Sequence, residues 1–479
     1  MSEELGMTVR KADFSEWFSE ICQKAELADL RYNIQGFIVH RPRAMKIIKR
    51  IYEFYERELE KTGHQPVLFP VVIPEENFLK EAEHVKGFAP EVFWVTHAGD
   101  KKLEKKLALR PTSETAMYRM YSLWVRSYRD LPLKLYQSVA VYRNEMTTRP
   151  FLRGREFLWI EAHDVFSDHD GVMRQLKEDM EIARKVIQDM LGIPFFFFKR
   201  PQWDKFAGAV DTYASDTLMP DGKVNQLSST HDLGTNFAKA FNVEFVNEEG
   251  KLEYAWQTCY GPGIWRIMAA LIAIHGDDKG LILPFVVSPT QIVIVPILTD
   301  DKEIMLKCQT IQKNLTDVGF RVHLDTREET PGYKYNDWEL KGVPFRIEIG
   351  KREVSKAFVT LHRRDTGSRI EISDGELTKH LENVIEDYSN NLKKRAKESF
   401  DKGIIDAKTK DDVIGIMEKR SGLARMCFCG REECAMDLKE TTNGGKVRGT
   451  LFEKQEKPEG NCAWCEGEAK EIVYVAKAY

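Results

Sequence analysis

Residues 139–163 read VAVYRNEMTTRPFLRGREFLWIEAH. The stretch alternates as a strand over Val139–Glu145, breaks in a basic loop carrying Thr147, Thr148, Arg149, Pro150 and Gly154, and alternates again from Arg155 to Phe166. Successive side chains on a strand point to opposite faces, so Val141, Arg143 and Glu145 share a face of the first strand. On the return strand Leu158, Ile160 and Ala162 make an apolar face for a core, and the other face carries Arg155, Phe157, Trp159, Glu161 and His163. A solvated hairpin with salt bridges is the plain reading of such charges, but it would leave Phe157 and Trp159 wet. A row of cation, rings, acid and imidazole beside an arginine-rich loop points instead to the wall of a site for a charged ligand that bears a flat ring.

The chain around this hairpin has 479 residues, enough for two to four domains. A hydrophobic content of 42% with 30% charged residues places it among soluble globular proteins. The net charge is only −4, so a nucleic-acid partner would have to be met by local basic patches. No apolar run reaches bilayer length, and MSEELGMTVRKADF does not read as a signal peptide, so a cytoplasmic protein is expected. Eight cysteines in a reducing compartment argue for thiols or a metal rather than disulfides.

Upstream, the spacing predicts a helix over 13–27, with Asp13 and Glu16 as a variant capping box, and a second from Pro42 to about Lys61. The second helix has the stripe Ile47, Ile48, Ile51, Phe54, Tyr55 and Leu59 and stops at Gly63. Residues 67–73 predict a strand whose Pro70 cannot donate to a ladder, hence an edge or interface strand. A strand over 105–110 leads into Pro111-Thr112-Ser113-Glu114 and a helix through Tyr128, where Thr112 as a cap and Glu114 as a dipole partner suffice on their own. Downstream come a helix over 172–191 ended by Gly192, a core strand of four phenylalanines over 195–198, and a hairpin of 210–219 and 223–231 turning at Pro220-Asp221-Gly222. Strict alternation puts Gln226 and His231 on opposite faces. One site can use both only if the strand bends or bulges, for which 228–230 is the expected place. Residues 256–266, WQTCYGPGIWR, run from a strand into a helix that continues to about 274. Arg266 stands in its first turn, where a cation opposes the helix dipole and needs an anion.

Residues 284–289 read as a linker. Strands and helices then alternate over 291–362, which argues for a mixed α/β domain. Residues 388–420 read as one charge-rich helical stretch. Cys427-x-Cys429-x₄-Cys434 and Cys462-x₂-Cys465 suit a tetrahedral zinc site. Cys429, Cys434, Cys462 and Cys465 are the expected ligands, with Cys427 the spare that could replace Cys429, and free thiols the alternative.

The hairpin resembles motif 2 of the class II aminoacyl-tRNA synthetases, with Arg143, Glu145, Arg153 and Phe157 at its marked positions. The resemblance implies that Arg143 grips the ATP α-phosphate, Arg153 reaches the γ-phosphate and Phe157 stacks on adenine. Helix 42–61 with its following strand resembles motif 1, the dimer interface. Residues 256–266 resemble motif 3, whose arginine, here Arg266, binds the γ-phosphate. The three motifs occur in order with no long insertion between the last two. Together with Arg110-Pro-Thr-x-Glu114, this makes the chain similar to the prolyl-tRNA synthetases of the archaeal and eukaryotic type.

That resemblance implies an α+β class II catalytic domain over 1–285, an antiparallel sheet flanked by helices. An α/β anticodon-binding domain over 286–385 and a small α+β zinc domain over 386–479 follow. It implies ATP, Mg²⁺ and proline as reactants, tRNA(Pro) as partner, structural Zn²⁺ and a homodimer. It places Thr112, Glu114, Arg143, Trp159, Glu161, His163, Phe206 and His231 at proline, and Arg143, Glu145, Arg153, Phe157, Gln226 and Arg266 at ATP. Arg143 and Arg266 would be catalytic. Glu339, Arg346 and Lys351 would be exposed and read the anticodon, and the C-terminal Tyr479 would fold back towards the active site. Two alternatives stand beside it: a non-catalytic synthetase-like RNA-binding or regulatory subunit, which would have shed the phosphate arginines, and an enzyme adenylating a small acid without tRNA.

Overall fold

The computed structural model describes residues 6–80 and 92–479. The motif-2 hairpin forms, as strands Leu133–Tyr142 and Glu156–Phe166 paired in antiparallel register from Leu133↔Val165 to Tyr142↔Glu156. It sits in an 11-stranded sheet. From the hairpin the sheet continues through Trp256–Pro262, Val224–Gly234, Asp211–Leu218 and Phe196–Lys199, each antiparallel to its neighbour. The apolar face expected from the return strand is a core face. Ile160 and Ala162 are fully buried against helices Pro42–Lys61, His169–Ala183 and Ile264–His275. The helix opened by Pro42 ends at Lys61, and Gly63 follows at φ +89°.

Several local expectations change. Asp13 is the N-terminal boundary of helix Phe14–Lys24, but its side chain makes no cap bond. The single strand over 67–73 is broken around Pro70 into Gln65–Pro66, which edges the large sheet, and Val72–Pro74, which joins a separate three-stranded sheet. Pro70 offers no N–H to carry a ladder through. The helix after Thr112 spans Glu114–Trp124, short of Tyr128. The stretch over 284–289 is no free linker, since Phe285, Val287 and Ser288 are buried and Tyr388 donates to the Leu283 carbonyl at 2.9 Å.

Next comes a five-stranded sheet in the order Val322–Leu324, Ile292–Pro296, Phe345–Ile349, Phe358–Arg363, Arg369–Ser373, parallel across the first three strands and antiparallel beyond. Helix Leu377–Lys402 packs on it and runs through the division expected at 385/386. Gly403 ends that helix, so the expected helical stretch over 388–420 splits into helix, strand Ile404–Asp406 and helix Lys410–Lys419.

The C-terminal region is not a detached module. Strand Lys446–Leu451 pairs with Phe196–Lys199 and extends the large sheet through Glu471–Ala476 and Leu423–Phe428. The four-phenylalanine strand is the seam. Phe195 and Phe197 enter the main core, while Phe196 and Phe198 pack on Phe400 and Tyr474 across the junction. Phe198 is fully buried, so Phe198→Ala is expected to cost about 3–5 kcal/mol. Denaturant unfolding followed by tryptophan fluorescence checks this, and a loss below about 1 kcal/mol would mean the seam is not packed as described.

Candidate active site

One cavity of about 350 Å³ opens on the face of the large sheet away from the main core. Eleven of the thirteen residues expected at ATP or proline line it: Thr112, Glu114, Arg143, Glu145, Arg153, Phe157, Trp159, Phe206, Gln226, His231 and Arg266. The backbone explains how. Arg143 lies just past the first strand, with its N–H still bonded to Arg155 O at 2.9 Å. Its guanidinium sits 5.3 Å from the Phe157 ring centroid and 5.5 Å from that of Trp159, and its Nε donates to Pro111 O at 3.0 Å. Arg153 pairs with Glu145 at 3.4 Å. Arg266 approaches Gln226 O at 3.4 Å, and its pKa is lowered to about 10 by burial and then by the charges of Arg153 and Arg143. Three guanidinium groups thus share one cavity under mutual repulsion, which an anion would relieve.

The parity problem on strand Val224–Gly234 is resolved by a bulge. Asp216 pairs with Gln226 and Ser215 with Ser228, so Leu227 is the extra residue. The bulge lies one residue before the expected 228–230 and turns Leu227 into the core, so Gln226 and His231 both reach the cavity. His231 lies 2.9 Å from Thr212 Oγ1 and 3.0 Å from Ser229 Oγ, stacked beside Phe206. Burial lowers its pKa to about 4, so it is neutral at pH 7.

Glu161 and His163 are placed differently from expectation. Both are fully buried and neither lines the cavity. Glu161 accepts from the Ser113 N–H at 3.0 Å, from the Ser113 hydroxyl and from Gln137 Nε2 at 2.9 Å. His163 bridges Glu161 at 3.2 Å and Tyr118 at 3.0 Å. Burial alone would lower the His163 pKa, but the Glu161 hydrogen bond and the Glu114 charge outweigh it and raise it. The pair forms a floor that fixes the Thr112–Glu114 segment from below. Above that floor Thr112 Oγ1 donates to Glu114 at 2.5 Å, and Cys259 Sγ lies 3.1 Å from the other Glu114 oxygen. The Trp159 indole N–H is buried without a partner, a donor suited to a ligand oxygen.

In the five-stranded domain a second groove is lined by Lys279, Tyr335, Glu339, Arg346, His362 and Arg369. Arg346 is not exposed. It keeps 4% of its surface, pairs with Glu348 at 2.9 Å and Glu339 at 3.4 Å, and stacks 3.9 Å from the Tyr335 ring centroid. Lys351 is exposed at the start of helix Lys351–Ser355 and does not line the groove.

In the C-terminal region the four expected cysteines converge. One sulfur from each of Cys429, Cys434, Cys462 and Cys465 lies within 4.8 Å of the others, with Cys434 and Cys462 4.0 Å apart. Four thiolates at about 2.3 Å from a zinc ion stand about 3.8 Å apart, so the donor set fits a closed, structural Zn²⁺. Cys427 lies outside the cluster, with its Sγ 3.6 Å from Glu459 O. Arg431 lies against the site, 3.1 Å from the Cys465 sulfur.

The family model of the class II tRNA synthetase core domain (G, H, P, S and T) matches residues 93–275. An anticodon-binding domain model matches 291–384, and the C-terminal domain model of prolyl-tRNA synthetases matches 410–479. Proline–tRNA ligase of Thermofilum pendens is 62% identical over the full length of both chains, and that of Pyrococcus abyssi 44% identical over 98% of each. The structure of Giardia lamblia prolyl-tRNA synthetase in complex with prolyl-adenylate superposes with a TM-score of 0.95, at 34% identity over 99% of this chain and 100% of that one.

The chain belongs to the prolyl-tRNA synthetases. It is accordingly a proline–tRNA ligase. ATP activates proline as the prolyl-adenylate, pyrophosphate leaves, and proline passes to the 3′ end of tRNA(Pro). Nothing in the comparisons favours a non-catalytic subunit, and Arg143, Arg153 and Arg266, which such a protein would have shed, all line the cavity.

The synthetase cavity also contains residues that the sequence reading did not select: Arg200, Asp204, Lys205, Lys446 and Arg448. Lys446 and Arg448 come from the C-terminal region, some 180 residues beyond motif 3. The available signal was two cations, alternating with Val447, immediately before Gly449, in an otherwise β-like run.

For the cysteine cluster, purified protein is expected to carry about one zinc per chain. Cys462→Ser should lose the metal and lower the unfolding temperature, while Cys427→Ser should keep both. Zinc retained in Cys462→Ser, measured by elemental analysis, would move the site elsewhere.

Proposed function

We propose the following division of labour for this ligase. Arg143, Arg153 and Arg266 hold the triphosphate of ATP, Arg143 at the α-phosphate and the other two at the γ-phosphate, with Phe157 stacked on adenine. The carboxylate of Glu145 would hold Mg²⁺, which supplies charge neutralisation for the phosphates, and Gln226 stands beside the phosphates as an amide donor. Thr112 and Glu114 receive the proline ammonium, while Trp159, Phe206 and His231 wall the ring. Glu161 and His163 act beneath, by fixing Thr112 and Glu114. The single observation that carries this reading is the convergence of three guanidinium groups, two rings and a buried carboxylate on one cavity.

The chemistry follows from those positions. A carboxylate oxygen of proline attacks the α-phosphorus, the bond between the α- and β-phosphates breaks, and pyrophosphate leaves. The 3′-terminal ribose hydroxyl of tRNA then attacks the adenylate carbonyl, loses its proton, and AMP departs. Neither step needs a side-chain nucleophile. Rate comes from alignment and from fixed positive charge that meets the developing negative charge without reorganising. A neutral His231 leaves Glu114 as the charged partner of the ammonium group.

Glu339 and Arg346 face one groove and are our choice for anticodon contacts, with an unstacked base laid against Tyr335. Lys351, outside that groove, is left to the phosphate backbone. This tRNA surface also argues against an adenylating enzyme that works without tRNA. The protein works in the cytoplasm as a homodimer. Support for the dimer lies in Leu68, 80% exposed beside the edge strand Gln65–Pro66, an apolar side chain that a second subunit would cover. Among the described residues no helix is long and apolar enough to cross a membrane.

ATP–pyrophosphate exchange tests the assignment. Proline is expected to stimulate it best. Arg143→Ala or Arg266→Ala should each cut kcat by about 10²–10³-fold. Glu114→Gln should raise the KM for proline by roughly 10–100-fold with little change in that for ATP. Wild-type exchange driven better by another amino acid would refute the proline pocket. For the dimer, Leu68→Asp should shift the mass seen by light scattering from two chains to one, and an unchanged mass would discard this interface.

A further inference from the structure

At the wall of the cavity lies a buried charge cluster assembled from the catalytic sheet and the C-terminal region. Asp216 is fully buried and accepts from two guanidinium groups at once. Arg200 donates from Nη1 and Nη2 at 2.9 and 2.8 Å, and Arg448 from Nε and Nη2 at 2.7 and 3.2 Å. Both arginines are 95% or more buried, and Arg200 also donates to the Arg448 carbonyl at 2.8 Å. The second Arg200 nitrogen reaches further, to Gln226 Oε1 at 3.0 Å. That bond fixes the orientation of the Gln226 amide. With its oxygen turned to Arg200, its NH₂ remains as a donor.

The position of Arg448 is built into the backbone. Strand Lys446–Leu451 pairs with Glu471–Ala476 through Val447↔Val475 and then Gly449↔Tyr474, so Arg448 is the extra residue of a bulge. Bulges beside active sites re-aim a side chain. Gly449 has φ +118°, and a Cβ there would stand 1.9 Å from Lys199 O. Only glycine lets the strand come this close to the catalytic sheet. Asp216, in turn, lies directly opposite Gln226 at the other bulge, the one made by Leu227. Two bulges in non-adjacent strands therefore converge on one relay, Arg448–Asp216–Arg200–Gln226.

We propose that Arg448 is a positioning residue for ATP activation: through Asp216 and Arg200 it holds the Gln226 amide in place at the nucleotide phosphates, so the C-terminal region completes the ATP site. This rests on the assignment of Gln226 to ATP made above. A lysine at 448 keeps the charge but cannot make the paired bond to Asp216. Positioning and simple electrostatic attraction therefore predict different results for Arg448→Lys.

The test is ATP–pyrophosphate exchange with the full-length protein. Arg448→Ala and Arg448→Lys are both expected to raise the KM for ATP about tenfold, with the KM for proline within about twofold of wild type. Bound zinc should be unchanged. In a Gln226→Ala background the Arg448 effect should shrink to below about twofold, because both changes break one chain of contacts. Full rescue by lysine, or effects of Arg448 and Gln226 that multiply, would overturn the proposal. So would a lower unfolding temperature with an unaltered KM for ATP. Arg448→Lys carries the test alone if the alanine variant does not fold. Wild-type protein lacking proline-dependent exchange would defeat the site assignment itself. Normal wild-type exchange with an ordinary KM for ATP in Arg448→Lys would defeat only the role of Arg448.

Discussion

Like charges held at close range are the constraint on which this structure turns. Arg143, Arg153 and Arg266 share a cavity in which burial first, and then the charges of Arg153 and Arg143, lower the Arg266 pKa. Left flexible, three such side chains would turn out into water. Each is restrained by a different device. Arg143 is stacked on two rings and tied to the Pro111 carbonyl, and Arg153 is paired with Glu145. Arg266 is carried by a helix whose other residues are buried almost all round. The loop between the strands can close over them only because Gly154 has no side chain. A Cβ there would stand 2.4 Å from the Trp265 ring. The cost of this preorganisation is met by the sheet and its helical backing, and its return is a charge field already in place when phosphate arrives.

The sequence made the hairpin legible because one face of its return strand is apolar at strict two-residue spacing and the other is chemically mixed. That rule held from Leu158 to Ala162, and it failed where the chain departs from ideal geometry. On strand Val224–Gly234 the need for a bulge could be deduced from Gln226 and His231, but not its place at Leu227, which is set by the core that accepts the leucine. Alternation also grouped Glu161 and His163 with Trp159. A face can, however, pass from cavity to interior along its length, and here it does so where the Thr112–Glu114 segment crosses over it. Arg346 was expected to be exposed on the strength of the family resemblance, and it is buried. Its neighbours Tyr335 and Glu339 come from helix Pro331–Leu340, and Glu348 is the next residue on the same face of its own strand.

The C-terminal region was the least legible part, for a topological reason. The convergence of its four cysteines could be read directly, because a tetrahedral donor set leaves a compact spacing. Its strand Lys446–Leu451 gave no hint of its partner, which lies some 250 residues earlier at the phenylalanine strand. Strand pairing at that separation leaves no local periodicity to read. The consequence is functional as well as architectural. Lys446, Arg448 and Tyr479 line the same cavity as Arg143 and Arg153, so that cavity is complete only when the last strand of the chain has added to the sheet.

The two-layer construction of the proline side bears on selectivity. Glu161 and His163 do not line the cavity, yet Glu161, braced by His163, holds the Thr112–Glu114 segment through bonds from Ser113 and Gln137. On the assignment proposed above, the positive charge of the ammonium group is met alike in every amino acid, and discrimination falls to the walls, Trp159, Phe206 and His231. Walls of that kind sense shape. A ring traded for a smaller side chain forfeits a few apolar contacts, worth roughly 1–3 kcal/mol, and breaks no buried hydrogen bond. Larger amino acids are excluded by rigid rings, whereas alanine and cysteine are merely held less well. A site of the kind proposed would read proline by size and the α-amino group by charge, and its selectivity against smaller competitors would be bounded by the area those rings cover.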